Sequence, residues 1–376
     1  MTVNNLLHSR DSLYRTLFRY LLAALSLAGS STAAFGNDGY GELGMGGIVT
    51  LGKTYAVNMT KEILEVSPQK IRVDYVFERN ISHPDKPIQV LFPLPLYGAE
   101  TPSWSWFGAP RDFSVTVDSK HVPFKTAVRG RMGRCDDGTM SRQCGVDVTE
   151  RLKATGLTDE QIALFPIASP FNDPQGKRLS VPSISDEQKH RLVREGLAEE
   201  EGPSEEHPYP KWLADVTYVW EMAFNGRQRI EVSHQYVPFT SGGSNSYYFT
   251  EDMLRNDYCA DDQLVEAWKS LVAAAPTVEG AYGPVLGSRV EYILTTANSW
   301  GGSIHDFTLR LKKSKPTELV MLCFPGKIRK VAPLTLEVKL TDFEPRNELR
   351  VLFLNVDRGH GGADELPKVV VPAIVK

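Results

Sequence analysis

The sequence lacks features that define several large classes of protein. After residue 36 there is no stretch of about 20 consecutive apolar residues, so that part of the chain predicts no membrane span. Cysteine is scarce, at 4 residues, and no C-x-x-C spacing or adjacent histidine pair points to a metal site. The balance of 42 basic against 46 acidic residues is mildly acidic, which disfavours nucleic acid as a partner. We therefore expect no metal, no cofactor and no nucleic acid.

Catalytic and cofactor motifs are also missing. Gly39, Gly41 and Gly44 fit the spacing G-x-G-x-x-G, but no strand is predicted before them and no helix after them. The segment from Gly301 to His305 resembles a nucleophile elbow without its second glycine. Nothing in the sequence places two carboxylates at the separation that glycoside hydrolysis needs. No catalytic residues are assigned.

Residues 1–36 predict a secretory signal. Three arginines, at positions 10, 15 and 19, precede the short apolar segment Tyr20 to Ala28, and Ala34-Phe35-Gly36 supplies small residues before a cleavage site. An uncleaved anchor is the alternative, but the apolar run is well short of the roughly 20 residues that a span needs. We expect cleavage after Gly36 and a periplasmic or secreted chain with no stable membrane span. That chain would hold 39 basic and 45 acidic residues.

The cysteines fit an oxidising compartment. Cys135 and Cys144 are close together in a polar loop, whereas Cys259 and Cys323 are far apart in sequence. Four cysteines allow three pairings, and we favour 135–144 and 259–323. By loop-closure entropy these bonds would stabilise the fold by about 2.5–3 and about 4 kcal/mol. A zinc site is the rival interpretation, which the spacing does not support.

The clearest pattern in the chain is the period-two alternation from Val216 to Phe239. Apolar and polar residues alternate from Val216 to Phe224 and again from Ile230 to Tyr236, on either side of Asn225-Gly226. This indicates two long antiparallel strands that share one apolar face. In a hairpin, a regular two-residue Asn-Gly turn would place apolar side chains opposite charged ones. We therefore expect a hairpin with an odd-length loop or a bulge.

Similar segments along the chain predict a mainly β protein with two β-sandwich-like domains. Residues 37–250 would form the N-terminal β-sandwich domain, with a helical insertion at about 147–210. Residues 251–284 would form a helical junction, 285–358 the C-terminal β-sandwich domain and 359–376 a tail.

Two helix starts inside the predicted insertion carry a specific signal. Thr158 with Gln161, and Ser185 with Gln188, have the spacing of a capping box, in which each side chain bonds the other residue's backbone N–H. We therefore predict helices that begin directly after Thr158 and Ser185.

Five stretches of the sequence match those of a known family. They are GELGMGGIV, KIRVDYVFERN with VLFPLP, YVWEMAF with VSHQYVPF, DYCADD, and YILTTANSWGGSIHDFTLRLKK with LVMLCFPG. Together they resemble the secreted bacterial family called domain of unknown function 4424 (DUF4424), from about Asn37 to Leu354. The resemblance implies export, a β-rich fold and a Cys259–Cys323 bond, with the Cys135–Cys144 loop as an elaboration. It implies no activity and no catalytic residues.

Two segments contain candidate ligand-binding residues. Trp104 and Trp106, followed by Phe107, form a candidate stacking platform for a sugar or an apolar peptide, and a loop folded over the sandwich is the alternative. Trp300 offers an aromatic face beside two glycines, and His305 next to Asp306 offers a pair for acid–base chemistry. The alternative for this second segment is a β-turn whose Trp covers the core edge.

These observations favour a binding or envelope-interaction module whose partner is an envelope protein or a polysaccharide. The alternative is a hydrolase that acts on an envelope polymer through His305 and Asp306. A third possibility is an assembly or chaperone-like protein that works by strand addition at an exposed edge. His234, on the apolar face of the main hairpin, is expected to be hydrogen-bonded at the edge of the core.

Overall fold

The computed structural model describes residues 38–43, 49–98, 113–133, 135, 144–165, 183–200, 208–238, 240–244, 249–273 and 285–356. The predicted signal peptide and the predicted tail lie outside these ranges. No helix within them has the length and apolar character needed to cross a bilayer.

The described chain is mainly β, as the sequence predicts. The strands of its first half are β1 (Gly39–Leu43), β2 (Val49–Leu51), β3 (Val57–Val66), β4 (Ile71–Arg79), β5 (Ile88–Pro93), β6 (Tyr97–Gly98), β7 (Ser114–Val117), β8 (Lys120–His121), β9 (Lys125–Met132) and β10 (Val146–Asp147). Those of its second half are β11 (Ala198–Glu199), β12 (Tyr209–Pro210), β13 (Leu213–Met222), β14 (Arg229–Tyr236), β15 (Thr240–Ser244), β16 (Val285–Tyr292), β17 (Ile304–Lys312), β18 (Leu319–Met321), β19 (Arg329–Ala332), β20 (Thr335–Phe343) and β21 (Leu349–Val356).

The helices are short, and the α-helices fall within the two segments that the sequence predicts to be helical, whereas the 3-10 helix was not predicted. Within the described ranges they are α1 (Thr149–Ala154), α2 (Asp159–Leu164), α3 (Asp186–Arg194), α4 (Glu251–Tyr258), α5 (Asp262–Ala273) and a 3-10 helix (Thr295–Ser299). Both predicted capping boxes are present, at the starts of α2 and α3.

The described strands form three large sheets and one short strand pair, β11–β12. Sheet A has seven strands in the order β10–β9–β13–β5–β1–β2, with β6 also paired to β13. Sheet B has eight strands in the order β19–β20–β17–β3–β4–β14–β7–β8. Sheet C has four strands in the order β15–β16–β21–β18.

Sheets A and B face each other across a core rich in aromatic side chains. Phe92 of β5, in sheet A, contacts His234 and Tyr236 of β14, in sheet B, with ring centroids 4.5 and 5.5 Å apart. Phe113, next to β7, stacks on Tyr218 of β13 at 4.1 Å. Full burial of a side chain of this size contributes roughly 1.5–3 kcal/mol. The alternating apolar residues of the sequence therefore hold the two sheets together.

The segment at Asn225-Gly226 connects sheets A and B and does not form the predicted hairpin. Asn225 and Gly226 have φ angles of 52° and 83°, and the Arg227 N–H donates to the Phe224 carbonyl at 3.0 Å, as in a two-residue turn. Before the turn, β13 pairs with β5, β6 and β9 in sheet A. After the turn, β14 pairs with β4 and β7 in sheet B. The hairpin prediction is wrong because the apolar face that the two segments share is a core between two sheets. The expected odd-length loop or bulge is also wrong, because a two-residue turn causes no mismatch where β13 and β14 do not pair with each other.

Strands from both predicted β-sandwich domains lie in sheet B. β17 pairs in parallel with β3, so that Asp306 lies opposite Lys61 and Arg310 opposite Glu65. Buried residues from both halves, including Leu64 of β3 and Leu309 of β17, belong to one hydrophobic cluster. The division into two domains stays a prediction. A domain boundary near residue 285 would assign strands of the same sheet B to different domains.

Helices α1 and α2 pack on sheet A near the start of β13, while α3 contacts β11. The indole N–H of Trp212 donates to the Ile162 carbonyl at 3.0 Å, and Phe165 stacks on the Trp212 ring at 5.6 Å. Trp212 and Phe165 are both buried. These contacts fix the predicted helical insertion to the sheet from which it departs.

Both predicted disulfides are present. Cys135 and Cys144 are bonded, and Cys259, which ends α4, is bonded to Cys323 close after β18. The second bond joins residues 64 positions apart in the sequence. It links the end of α4 to sheet C, on which apolar residues of α4 and α5 pack.

Candidate functional site

The outer face of sheet B, which points away from the core, carries a groove of about 520 Å³. We call it the outer groove. It crosses β3, β4, β14 and β7 and ends at β8. Its lining residues are Lys61, Ile63, Arg72, Asp74, Tyr75, Val76, Ser114, Thr116, Ser119, His121, Arg229, Glu231, Val232, Ser233, His234 and Gln235.

Period-two alternation explains why polar side chains line the outer groove. In β4, Val73 and Tyr75 are buried in the core, so the intervening Arg72 and Asp74 point to the opposite face. In β14, the register places Ser233 opposite Asp74 and Gln235 opposite Arg72. The same alternation that builds the core therefore supplies a row of polar groups on the outside.

A bidentate ion pair lies in the floor of the groove. Arg72 Nε donates to Asp74 Oδ2 at 3.0 Å, and Arg72 Nη2 donates to Asp74 Oδ1 at 2.8 Å. Partial burial alone would raise the pKa of the Asp74 carboxyl. The hydrogen bonds from Arg72 and Ser233 outweigh that effect and hold this pKa below its ordinary value. Asp74 is therefore an ionised acceptor at neutral pH.

The charges of the groove are matched. Besides Arg72 with Asp74, Arg229 pairs with Glu231 at 3.2 Å, and Lys61 pairs with Asp306 of the neighbouring β17 at 3.2 Å. Pairs this exposed contribute little to stability, typically about 0–1 kcal/mol. Their main effect is to give the groove hydrogen-bond donors and acceptors without an excess of positive or negative charge.

A second cavity, of about 550 Å³, lies between β1 and the loop before β5. Its lining includes Tyr40, Glu42, His83, Lys86 and Gln89. Gln89 already accepts a hydrogen bond from the Leu43 N–H at 2.9 Å. Fewer of its polar side chains converge than in the outer groove, which is therefore the stronger candidate.

Trp300 does not offer an aromatic surface to a ligand, and its prediction as a binding residue is wrong. Its side chain is fully buried, its ring lies 4.9 Å from that of Phe77, and its indole N–H donates to the Asp38 carbonyl at 2.7 Å. The adjacent Gly301 approaches β3 so closely that a Cβ there would lie 2.4 Å from Asn58 Oδ1. This turn packs against the core, which is the alternative that the sequence left open.

His305 and Asp306 do not orient each other, because successive strand residues point to opposite faces. His305 Nδ1 lies 2.8 Å from Asp342 Oδ1, and both side chains are exposed. The hydrogen bond to Asp342 raises the pKa of His305 above its ordinary value. Asp306 instead pairs with Lys61 at the border of the outer groove. The predicted acid–base pair is absent from this segment, while Asp306 lies beside the groove.

Trp104 and Trp106 lie outside the described residues, so their predicted role stays a prediction. His234 lies deep in the core and not at its edge. Neither of its ring nitrogens has a hydrogen-bond partner among the described residues. Burial lowers the pKa of His234 to about 3, so its ring is neutral.

Other ionisable groups accompany His234 inside the sandwich. Asp38 and Glu62 are fully buried, and the hydroxyl groups of Tyr75 and Tyr292 are 3.0 Å apart. Burial, with Glu62 nearby, raises the pKa of Asp38 well above its ordinary value. No group of three or more His, Cys, Asp or Glu in the described chain is arranged to hold a metal ion.

Sequence reasoning did not identify the groove residues, although it did find the strands that carry them. The signal was present as the polar half of the alternation, for example Arg72 and Asp74 in the stretch KIRVDYVFERN. Alternation shows that these residues share a face with one another. It does not show that Ser233 and Gln235, about 160 positions away, complete that face.

Comparisons with known proteins identify a family and no close structure. A family model described as "Domain of unknown function (DUF4424)" matches residues 36–352, and no curated protein matches the chain. One similar solved structure is a Legionella pneumophila subsp. pneumophila str. Philadelphia 1 protein described as a "putative nutrient binding protein". The two are 14% identical with a TM-score of 0.38, and the match covers 80% of this chain and 68% of that one.

Two further solved structures are similar over part of their length. Yeast LTA4 hydrolase in complex with bestatin is 7% identical with a TM-score of 0.28, and the match covers 79% of this chain and 28% of that one. Legionella pneumophila aminopeptidase A in complex with aspartic acid is 7% identical with a TM-score of 0.26, over 81% of this chain and 22% of that one. Scores this low carry no argument about function.

Proposed function

This chain belongs to the family described as domain of unknown function DUF4424, a description that assigns no activity. From the geometry of its outer groove, we propose that the chain is an exported module that binds an uncharged, hydroxyl-rich ligand. The ligand class is an oligosaccharide segment of an envelope polymer, and the site is the outer groove. The observation that carries this proposal is the matched charge of the groove together with its hydroxyl and amide groups.

The paired charges favour a neutral ligand over an ionic one. An anionic ligand would have to displace a carboxylate from Lys61, Arg72 or Arg229 and leave that carboxylate without its cation. A neutral polyol needs no such displacement, because ion-paired groups keep free donor hydrogens and acceptor lone pairs. Serine and threonine hydroxyls and the Gln235 amide can each donate and accept, which suits the mixed character of sugar hydroxyls.

The aromatic residues at 104 and 106 are part of this proposal. Trp106 precedes Ser114, a groove residue, by eight positions. A chain of that length reaches about 26–29 Å when fully extended. Trp104 and Trp106 are therefore within reach of the end of the groove at β7, where their flat faces would stack on a sugar ring.

Two other functions have less support from the described residues. A hydrolase centred on His305 and Asp306 lacks converging catalytic groups, because these residues contact Asp342 and Lys61 respectively. For strand addition, β19 is an open edge of sheet B, but it contains a register shift and the cations Arg329 and Lys330. Bulges and edge cations are features that prevent edge-to-edge pairing.

Isothermal titration calorimetry with neutral oligosaccharides released from envelope polymers tests the proposal. The variants are Arg72→Gln and Ser233→Ala, and Arg350→Gln is the matched control because it lies on sheet C beside Glu291. We expect Arg72→Gln to weaken binding about tenfold or more, since a hydrogen bond from a charged group is worth roughly 1.5–3 kcal/mol. The control should bind like the unmodified chain. Equal affinities for all variants, or no binding by the unmodified chain, would contradict the proposal.

A further inference from the structure

One edge of sheet B combines exposed apolar residues with basic residues. Every residue of the edge strand β19 is exposed. The turn into β20 continues with Pro333 and Leu334, which are also exposed. We call Val331, Ala332, Pro333 and Leu334 the hairpin tip. Val331 is 51% exposed and Leu334 36%, although both are large apolar side chains that a folded chain usually covers.

Five basic residues lie in the loop after β17 and in the segment that leads into the hairpin tip. They are Lys313, Lys315, Lys327, Arg329 and Lys330, and we call them the basic edge. The Lys313 N–H donates to the Leu334 carbonyl at 2.8 Å, so the loop after β17 lies against the tip. Burial and the nearby charge of Lys330 together lower the pKa of Lys313. Lys313 of the first segment and Lys330 of the second are therefore close enough for their charges to interact.

The acidic residues of this region offset only part of the positive charge of the basic edge, through the attraction of Glu318 to Lys313 and Lys315. Glu318 is buried and accepts a hydrogen bond from the Ser314 N–H at 2.7 Å. Glu337 lies opposite Arg329 in the β19–β20 pair, and its carboxylate accepts a hydrogen bond from Arg310 Nε at 3.1 Å. Among the described residues, Lys315, Lys327, Arg329 and Lys330 have no ion-pair partner. A chain with a formal net charge of −4 thus concentrates free positive charge at one edge.

We propose that this edge docks on an anionic lipid surface, with the basic edge against headgroup phosphates and the hairpin tip in the membrane interface. Cations alone would suit any polyanion. The four exposed apolar residues next to these cations suit a partner with an apolar layer beneath its charged groups, which a bilayer has and a soluble polyanion lacks. The contact would leave the outer groove accessible, because the groove begins three strands away from β19 in sheet B.

Co-sedimentation with lipid vesicles tests this proposal. The chain from Asn37, without the predicted signal, is incubated at low salt with vesicles of phosphatidylcholine containing phosphatidylglycerol, and in parallel with vesicles of phosphatidylcholine alone. We expect binding to the anionic vesicles, little binding to the neutral ones, and release as salt is added. Every variant starts at Asn37, because the basic and apolar predicted signal would itself bind anionic vesicles and mask differences at the edge.

Two variants separate the two parts of the edge. Lys327→Gln, Arg329→Gln and Lys330→Gln, made together, should weaken binding to anionic vesicles about 100-fold, from roughly fivefold per cation at an anionic surface. Val331→Ser with Leu334→Ser keeps every charge and should still weaken binding several-fold. The control, Lys53→Gln, Lys86→Gln and Lys125→Gln, removes as many exposed cations elsewhere and should bind like the unmodified chain.

Three outcomes would overturn the proposal. The first is that the unmodified chain fails to bind anionic vesicles at low salt. The second is that the control loses as much binding as the basic-edge variant, because the attraction would then depend only on total charge. The third is that the serine variant binds as well as the unmodified chain while soluble heparin displaces both, since the edge would then recognise a polyanion. If the basic-edge variant aggregates, the serine variant carries the comparison, because β19 keeps its cations.

Discussion

Asp38 and His234 meet inside the sandwich, with Asp38 Oδ1 3.6 Å from His234 Nδ1 and both side chains fully buried. Burial lowers the pKa of His234 to about 3 and raises that of Asp38 well above its ordinary value. At neutral pH the histidine is therefore neutral, and burial favours the protonated form of Asp38. Asp38 and His234 are therefore two buried polar groups in contact and not an ion pair. As pH changes, the two groups should affect the stability of the fold in opposite directions.

His234 should make the fold sensitive to acid. Its folded pKa of about 3 lies below the ordinary value of 6.5, so the stability it contributes is present above pH 6.5 and is lost as pH falls toward 3. The loss should reach roughly 2–3 kcal/mol by about pH 4.5, at about 1.4 kcal/mol for each pH unit. Urea unfolding of the unmodified chain and of His234→Phe, at neutral pH and at about pH 4.5, measures it. His121→Phe, at an exposed site, is the control. Parallel pH curves for the unmodified chain and His234→Phe would contradict the assignment.

Asp38 should act in the opposite direction. Its folded pKa is raised, so the stability that its protonated form contributes is complete below about pH 3.8 and is lost as pH rises through the folded pKa. Asp38→Asn cannot ionise. Its free energy of unfolding relative to the unmodified chain should therefore be higher at pH 8 than at pH 4. Urea unfolding at the two values tests this, and an equal difference at both would show that Asp38 titrates normally in the fold.

Glu65 should contribute a salt-sensitive link between the two halves of the chain. It lies on β3, and from the adjacent β17 it contacts Lys312 Nζ at 3.2 Å and Arg310 Nη1 at 3.8 Å. Because the pair is partly exposed, Glu65→Gln should cost only about 0.5–1 kcal/mol at low salt and less at high salt. Denaturant midpoints at two salt concentrations measure the effect, with Glu42→Gln as an exposed control. A cost unchanged by salt would mean that packing and not charge is responsible.

The two disulfides should differ in their contribution to stability. Removal of Cys259–Cys323 by paired alanine substitutions should cost about 4 kcal/mol, and removal of Cys135–Cys144 about 2.5–3 kcal/mol, because a longer closed loop restricts the unfolded chain more. The structure also supports the larger cost for Cys259–Cys323, because this bond joins α4 to the segment after β18. Thermal and urea unfolding of the two double variants measure the costs. A larger cost for the 135–144 pair would contradict the prediction.

Local features of the fold were readable from the sequence because their causes act over a few residues. The alternation from Ile230 to Tyr236 lies in strand β14, Arg229–Tyr236, and both capping boxes formed at Thr158 and Ser185. A capping box is complete within four residues, and alternation within one strand decides which side chains share a face. The disulfide pairing also followed from spacing and from the family resemblance.

Long-range relationships were not readable in the same way. Alternation on either side of Asn225-Gly226 indicates two apolar faces, and it is equally satisfied by one sheet with a shared face or by two sheets that enclose a core. The parallel pairing of β17 with β3 has no local signal, because it joins residues about 245 positions apart. The burial of Trp300 likewise depends on where the strand of Phe77 lies.

The amino-acid sequence by itself determined the main strands and the helix starts, and it favoured one of the three cysteine pairings, since these features depend on neighbours along the chain or on a few cysteines. Only the tertiary structure decided the conformation of the Asn225-Gly226 turn, the separation of β13 and β14 into opposite sheets, and the convergence of Arg72, Asp74 and Ser233 on one groove. The physical reason is that strand pairing and sheet packing are chosen by burial of apolar surface over the whole chain, and local periodicity does not specify the partner.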